Sequence, residues 1–208
     1  MCLPHRGSMN EFIFREKFDE GERTARLLEL HMVTEWPGTL VKRANREQER
    51  RGIDLWVKYT DGTHASIQIK SCNRISQTGN FFIETVSVVP DKPGWIYSCE
   101  SDFLVYIDAV TFDAYWFQTP ALREAFCERW RLLREVSVPN EGYTTKGVPV
   151  RKSQVIEALH PMVTNISDPI GEDFFDEPNS DNDDQPDTTV WGRDNFPYVV
   201  SSTGQLSF

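Results

Sequence analysis

Between Asn10 and Met32 the apolar positions Phe14, Phe18, Ala25, Leu28 and Met32 recur at three- and four-residue steps or their sum. That is the period of one helix face, so the spacing predicts an amphipathic helix, loosened at Gly21. Trp36-Pro37-Gly38 stops it, and Thr39 to Ala44 reads as a first short strand. Ile53 to Tyr59 and Thr63 to Lys70 are rich in β-formers on either side of Asp61-Gly62, a hairpin signature. Phe81 to Val89 reads as a further strand, ended by Pro90, and Pro93-Gly94 introduces a short helix around Trp95 to Glu100. Phe103 to Ile107 and Ala114 to Phe117 have the composition of strands. Thr119-Pro120 opens a helix, since threonine accepts from the free amides and proline is tolerated in the first turn. Its stripe is Leu122, Phe126, Trp130, Leu133 and Val136. Gly142 to Gly147 reads as a loop, Val148 to Val150 as a short strand and Ser153 to His160 as a last helix.

The pattern then disappears. Asn165 to Thr189 holds nine acidic residues and no basic one, with Pro, Ser, Asn and Gly between them. Such a segment buries too little apolar surface to offset its ordering entropy and reads as disordered. The expected division is one folded domain over residues 1–163, an acidic linker over 164–190 and a docking or partner-binding peptide over 191–208.

A chain of 208 residues suffices for one substantial core. Its net charge of −10 is unevenly spread: residues 1–163 carry 21 Lys and Arg against 22 Asp and Glu, while residues 164–208 carry 1 against 10. A near-neutral domain still binds DNA when its cations cluster, because phosphate attraction follows local potential. No apolar run approaches the roughly 18 residues of a membrane span, and no secretory pattern opens the chain. The expectation is an intracellular, cytoplasmic protein. Cys2, Cys72, Cys99 and Cys127 lack the paired spacing of zinc or iron–sulfur ligands and read as reduced thiols.

The hairpin carries the chemistry. Side chains alternate along a strand, so Gln68 and Lys70 share a face. A two-residue Asp61-Gly62 turn would throw Asp54 onto the other face. A three-residue loop with Gly62 left-handed pairs Tyr59 with Thr63 and sets residue 54 opposite 68. The second register, or a bulge with the same effect, is expected. It would bring a carboxylate, an amide and an ammonium together: oxygens for a hard divalent cation, helped by the Ile69 carbonyl, and a lysine to activate water and neutralise charge on a phosphate.

"GID" at the second strand and "IQIKS" on the third resemble the PD-(D/E)XK nuclease superfamily of restriction enzymes, junction resolvases and related DNA nucleases. Gln68-Ile69-Lys70 stands in place of the (Asp/Glu)-x-Lys element, a Gln-x-Lys variant. The resemblance covers roughly residues 10–118. It implies an α/β fold with a restriction-endonuclease-like core, a central mixed sheet flanked by helices. It implies an endodeoxyribonuclease dependent on Mg²⁺ or Mn²⁺, acting in DNA repair or recombination, with Asp54, Gln68 and the Ile69 carbonyl near the metal and Lys70 catalytic. Members often add a first-helix glutamate. Glu22, about 40° from Phe18 on a helical wheel, is the candidate, with Glu16, about 160° away, as fallback. Many relatives dimerise, which makes a homodimer the expected assembly. The alternative is a non-catalytic DNA- or protein-binding adaptor that keeps the fold, for which the neutral Gln68 argues.

Two basic groups are candidate phosphate contacts: Lys42, Arg43, Arg46, Arg50 and Arg51 before Asp54, and Lys146, Arg151 and Lys152 on the far side. The terminal "GQLSF", with Gln205, Leu206 and Phe208, loosely resembles the peptides with which bacterial and phage proteins bind the replication sliding clamp.

Overall fold

The computed structural model describes residues 9–90, 92–140 and 142–167, with side chains from residue 20 onward. The chain begins with α1 (Met9–Glu35) and a first strand β1 (Leu40–Arg43), followed by α2 (Arg46–Arg50), β2 (Leu55–Lys58) and β3 (His64–Cys72). Next come α3 (Ile75–Thr78), β4 (Asn80–Val88), β5 (Lys92–Pro93), α4 (Trp95–Ser98), β6 (Phe103–Asp108) and β7 (Asp113–Gln118). After α5 (Thr119–Ala125) and a π-helical turn at Phe126–Trp130 come β8 (Val136–Asn140), β9 (Tyr143–Arg151), α6 (Lys152–Leu159) and β10 (Met162–Asn165).

Among the described residues these strands form two sheets. The larger is mixed, in the order β1-β2-β3-β6-β7-β10, with β3 and β6 parallel and every other pair antiparallel. The smaller is antiparallel, β5-β4-β9-β8. The protein is therefore a mixed α/β fold with a central mixed sheet flanked by helices.

Strand alternation explains the layers. On β6, Val105 and Ile107 point to one side, where Leu27, Leu28 and Met32 of α1 cover Leu55, Val57, Ala65 and Ile67. Leu104 and Tyr106 point to the other, against Phe81 and Ile83 of β4, Val148 and Val150 of β9 and the helices α4 to α6. Phe81 centres this second core, its ring 5.1 Å from Tyr106 and Tyr115 and 5.7 Å from Phe117. Tilted and edge-on aromatic packing of this kind adds to simple area burial.

Several elements differ from expectation. α1 runs unbroken through Gly21 to Glu35. The stretch expected to be a glycine-bounded loop, 142–147, is mostly strand: Thr145 pairs with Val138 and is buried. Gly147 is there for packing, because an added Cβ would lie 2.5 Å from the Phe82 ring and 2.7 Å from the Ile83 oxygen. The expected helical stripe stops at Trp130; Leu133 is 44% exposed and Val136 belongs to β8. β10 and Ile166, only 2% exposed, carry the packed core three residues past position 163. The expected acidic linker and terminal peptide lie outside the described residues.

Candidate active site

The β2–β3 hairpin closes through Tyr59–Gly62. Tyr59 N donates to Thr63 O at 2.9 Å and Gly62 N to Tyr59 O at 3.0 Å, with Gly62 at φ +84°. A left-handed residue is what this loop needs, and glycine adopts it without strain. Asp61 fixes the far side by accepting from Thr63 N at 2.8 Å and Thr63 Oγ1 at 2.6 Å. Leu55 pairs with Ile67, Val57 with Ala65 and Lys58 with His64, so continuing this ladder sets residue 54 against 68.

The chain departs from that ladder at Asp54 itself. Its amide donates to Ile67 O at 2.8 Å, although Ile67 is already the partner of Leu55. Two residues of one strand thus stand against one of the other, the pattern of a bulge. The turn brings the Asp54 carboxylate onto the Ile69 amide, which donates to Oδ2 at 2.6 Å. The Asp54 carbonyl meanwhile accepts from Ala44 N at 2.9 Å, tying this point to the end of β1.

Asp54 opens into a cavity of about 360 Å³ between α1 and the β1–β3 edge. It shares the lining with Glu22 and Glu29 of α1, Glu49 of α2, Arg43 at the end of β1, and Ile69 and Ser71 of β3. Small residues make the space: Gly21 and Ala25 face it from the helix. Glu49 is delivered by α2, whose Asn45 accepts from the Glu47 and Gln48 amides while Gln48 accepts from Asn45 N, a capping box.

The expected neighbours of Asp54 divide. Glu22 and Ile69 stand with it in the cavity. Gln68 and Lys70 do not line that space; strand alternation turns them to the other face, where they pair across β6 with Leu104 and Tyr106. Gln68 is 6% exposed, its Oε1 has no hydrogen-bond partner, and its amide nitrogen lies against Gly52. Lys70 is half-buried and acts on Asp54 through its charge. Burial pushes the Asp54 carboxyl above its ordinary value, opposed by the Ile69 hydrogen bond and by Lys70. Burial also raises Glu29, opposed by Arg43.

Glu29, Glu49 and Ser71 are site residues that the sequence reading missed. Glu29 was findable: it lies seven residues after Glu22, about 20° away on the wheel. The side chain of Glu16 lies outside the described residues.

Of the basic candidates, Arg43 is held by Glu22 and Glu29, and Arg51 donates to Glu100 at 2.7 and 2.9 Å. Lys146 stands 3.9 Å from Glu135. Lys152 donates to Tyr115 Oη at 3.2 Å with its ammonium 5.5 Å from the ring centre. Lys42, Arg46, Arg50 and Arg151 are exposed. The two groups belong to different sheets, β1 and α2 beside the larger and β9 in the smaller. Gln205, Leu206 and Phe208 lie outside the described residues. Among the described residues no helix is long and apolar enough to cross a membrane.

Fold and cavity together define a mixed α/β protein with an acid-lined cleft beside one edge of its main sheet. Among solved structures the chain is similar to that of a bacterial homing endonuclease, with 20% sequence identity, a TM-score of 0.38, and coverage of 66% of this chain and 89% of that one. No family model and no curated protein matches.

Proposed function

We propose that the protein is a metal-dependent endodeoxyribonuclease that hydrolyses DNA phosphodiester bonds at the cavity beside Asp54. The observation that supports this most is the gathering of Asp54, Glu22, Glu29 and Glu49 around one space, with the lysine of the Gln-x-Lys element acting electrostatically on Asp54. All four supply hard oxygen donors, the chemistry that suits Mg²⁺ or Mn²⁺. Among the described residues no three acidic, histidine or cysteine side chains already converge on one point. The donor set fits by type, and Asp54, Glu22 and the Ile69 carbonyl are the groups assigned to hold the cation. Such a cation, when bound, lowers the pKa of water and neutralises charge on a phosphate.

The chain's own residues do the rest. Asp54, anchored by the Ile69 amide, is a fixed acceptor that orients a water for attack on phosphorus. Lys70, on the opposite face of β3, serves the site through its charge, which favours the ionised form of Asp54. Gln68, buried on the opposite face of β3, supports the strand and does not line the cavity. Exposed Lys42, Arg46 and Arg50 grip flanking phosphates.

The test is incubation of plasmid and branched DNA with Mg²⁺ or Mn²⁺, beside the D54A and K70A variants. Cleavage lost in both supports the reading. Cleavage that survives both defeats it.

One observation favours a second reading, a non-catalytic DNA-binding adaptor. Arg43 ties up two of the carboxylates that a cation would need. DNA retention with no cleavage at any metal concentration selects the adaptor.

A further inference from the structure

The Arg43 guanidinium has no part in the hydrolysis just described. It ends β1 opposite Leu55, and the next residue, Ala44, is hydrogen-bonded to the Asp54 carbonyl, so its backbone is fixed beside the site. Its Nε donates to Glu29 Oε1 at 2.7 Å and its Nη1 to Glu22 Oε1. All three side chains line the same cavity as Asp54 and Glu49.

We propose that Arg43 is a built-in counter-ion, holding the cavity carboxylates in the cation-free protein and swinging aside when a divalent cation binds. This rests on the reading that the cavity takes a hard divalent cation. Three observations carry it. A single fork takes an oxygen from each of two carboxylates and places a positive charge where a second one would be repelled. The pair is easy to open, because the Arg43 and Glu22 side chains are 44% and 48% exposed and ion pairs in water are weak. Glu22 and Glu29 sit two turns apart on α1, so their backbone positions stay put when the guanidinium leaves.

The experiment measures Mn²⁺ binding to the full chain by electron paramagnetic resonance at neutral pH, for wild type, R43Q and the double variant R43Q/E29Q, with circular dichroism as the folding control. R43Q is expected to bind Mn²⁺ roughly tenfold more tightly than wild type, the order set by removing two exposed ion pairs. Adding E29Q is expected to remove most of that gain, which ties it to this cavity. If R43Q does not fold, R43K takes its place: it loses the fork, and a smaller gain is expected. Binding that is unchanged or weaker in the folded variant, or absent from both wild type and variant, overturns the proposal. The nuclease reading fails separately: tighter Mn²⁺ binding without any cleavage leaves the counter-ion in place and removes the hydrolase, whereas cleavage by a wild type whose R43Q variant gains nothing does the reverse.

Discussion

The carboxylate of Asp54 occupies the place of a main-chain carbonyl for Ile69, accepting its amide at 2.6 Å just where β2 stops running beside β3. Asp102 does the same further back, taking Ser66 N at 2.8 Å and Ser66 Oγ at 2.6 Å. Two aspartates thus complete the hydrogen bonding of one strand, and Asp54 in addition lines the cavity with Glu22 and Glu29.

That placement has a pH signature. Burial holds the folded Asp54 carboxyl above its ordinary value of 3.8, with the Ile69 hydrogen bond and Lys70 opposing. A group that binds its proton more tightly when folded contributes stability that is complete below the unfolded value and is lost as pH rises through the folded one. D54N keeps an acceptor for Ile69 and removes the charge. Its urea midpoint is expected to exceed the wild type's at about pH 7 to 8, the two converging as pH falls toward 4. D54A leaves the Ile69 amide without an acceptor and is expected to cost about 1–3 kcal/mol. A D54N midpoint below wild type at pH 8 would contradict the first expectation.

Lys70 is separable from Asp54 by titration. Its charge lowers the Asp54 pKa, so K70M is expected to move the Asp54 carboxyl midpoint further upward, read by carbon-13 NMR of labelled aspartate. An unmoved midpoint would mean that the ammonium does not act on the carboxylate. If Lys70 serves the site by favouring the ionised Asp54, cleavage by the same variant falls most at acidic pH and recovers as pH rises.

Placing an acid at position 68 is expected to harm the fold. Gln68 is 6% exposed and its Oε1 already lacks a partner. Q68E buries a charge in the same place and is expected to lose about 1–3 kcal/mol at neutral pH, with recovery in acid as the carboxyl protonates. Denaturation at two pH values decides this; equal losses at both would rule out the charge as the cause.

The second sheet offers a test independent of function. A methyl group at Gly147 meets the Phe82 ring and the Ile83 oxygen. G147A is expected to cost about 1–3 kcal/mol by overpacking, read as a lower urea midpoint. A neutral result would mean that β4 and β9 can part at this point without loss.

Local signals carried much of the fold. The 3.6-residue spacing of α1, the Asp61-Gly62 turn and the alternation of β2 and β3 each depend on neighbours in sequence, and the three-residue loop with its register follows from them. Side-chain destinations at the site were less legible. The off-ladder bond from Asp54 N to Ile67 O is a single displaced contact, and no composition announces it. Arg43 meets Glu22 and Glu29 only because β1 and α1 flank the same cavity, a tertiary fact. Gly142 to Gly147 reads as loop because glycine weakens a strand signal; Gly147 is what lets β9 approach β4.

The parallel pairing of β3 with β6 bears on how the molecule is made. The strand that carries Ile69 and Lys70 meets its partner only after the chain has passed through α3, β4, β5 and α4. Contacts that close such a long detour form late, since the loop entropy must be met before the pairing rewards it. A ribosome that has delivered every acidic residue of the cavity has therefore not yet delivered β6, the strand that braces β3 on the side away from β2.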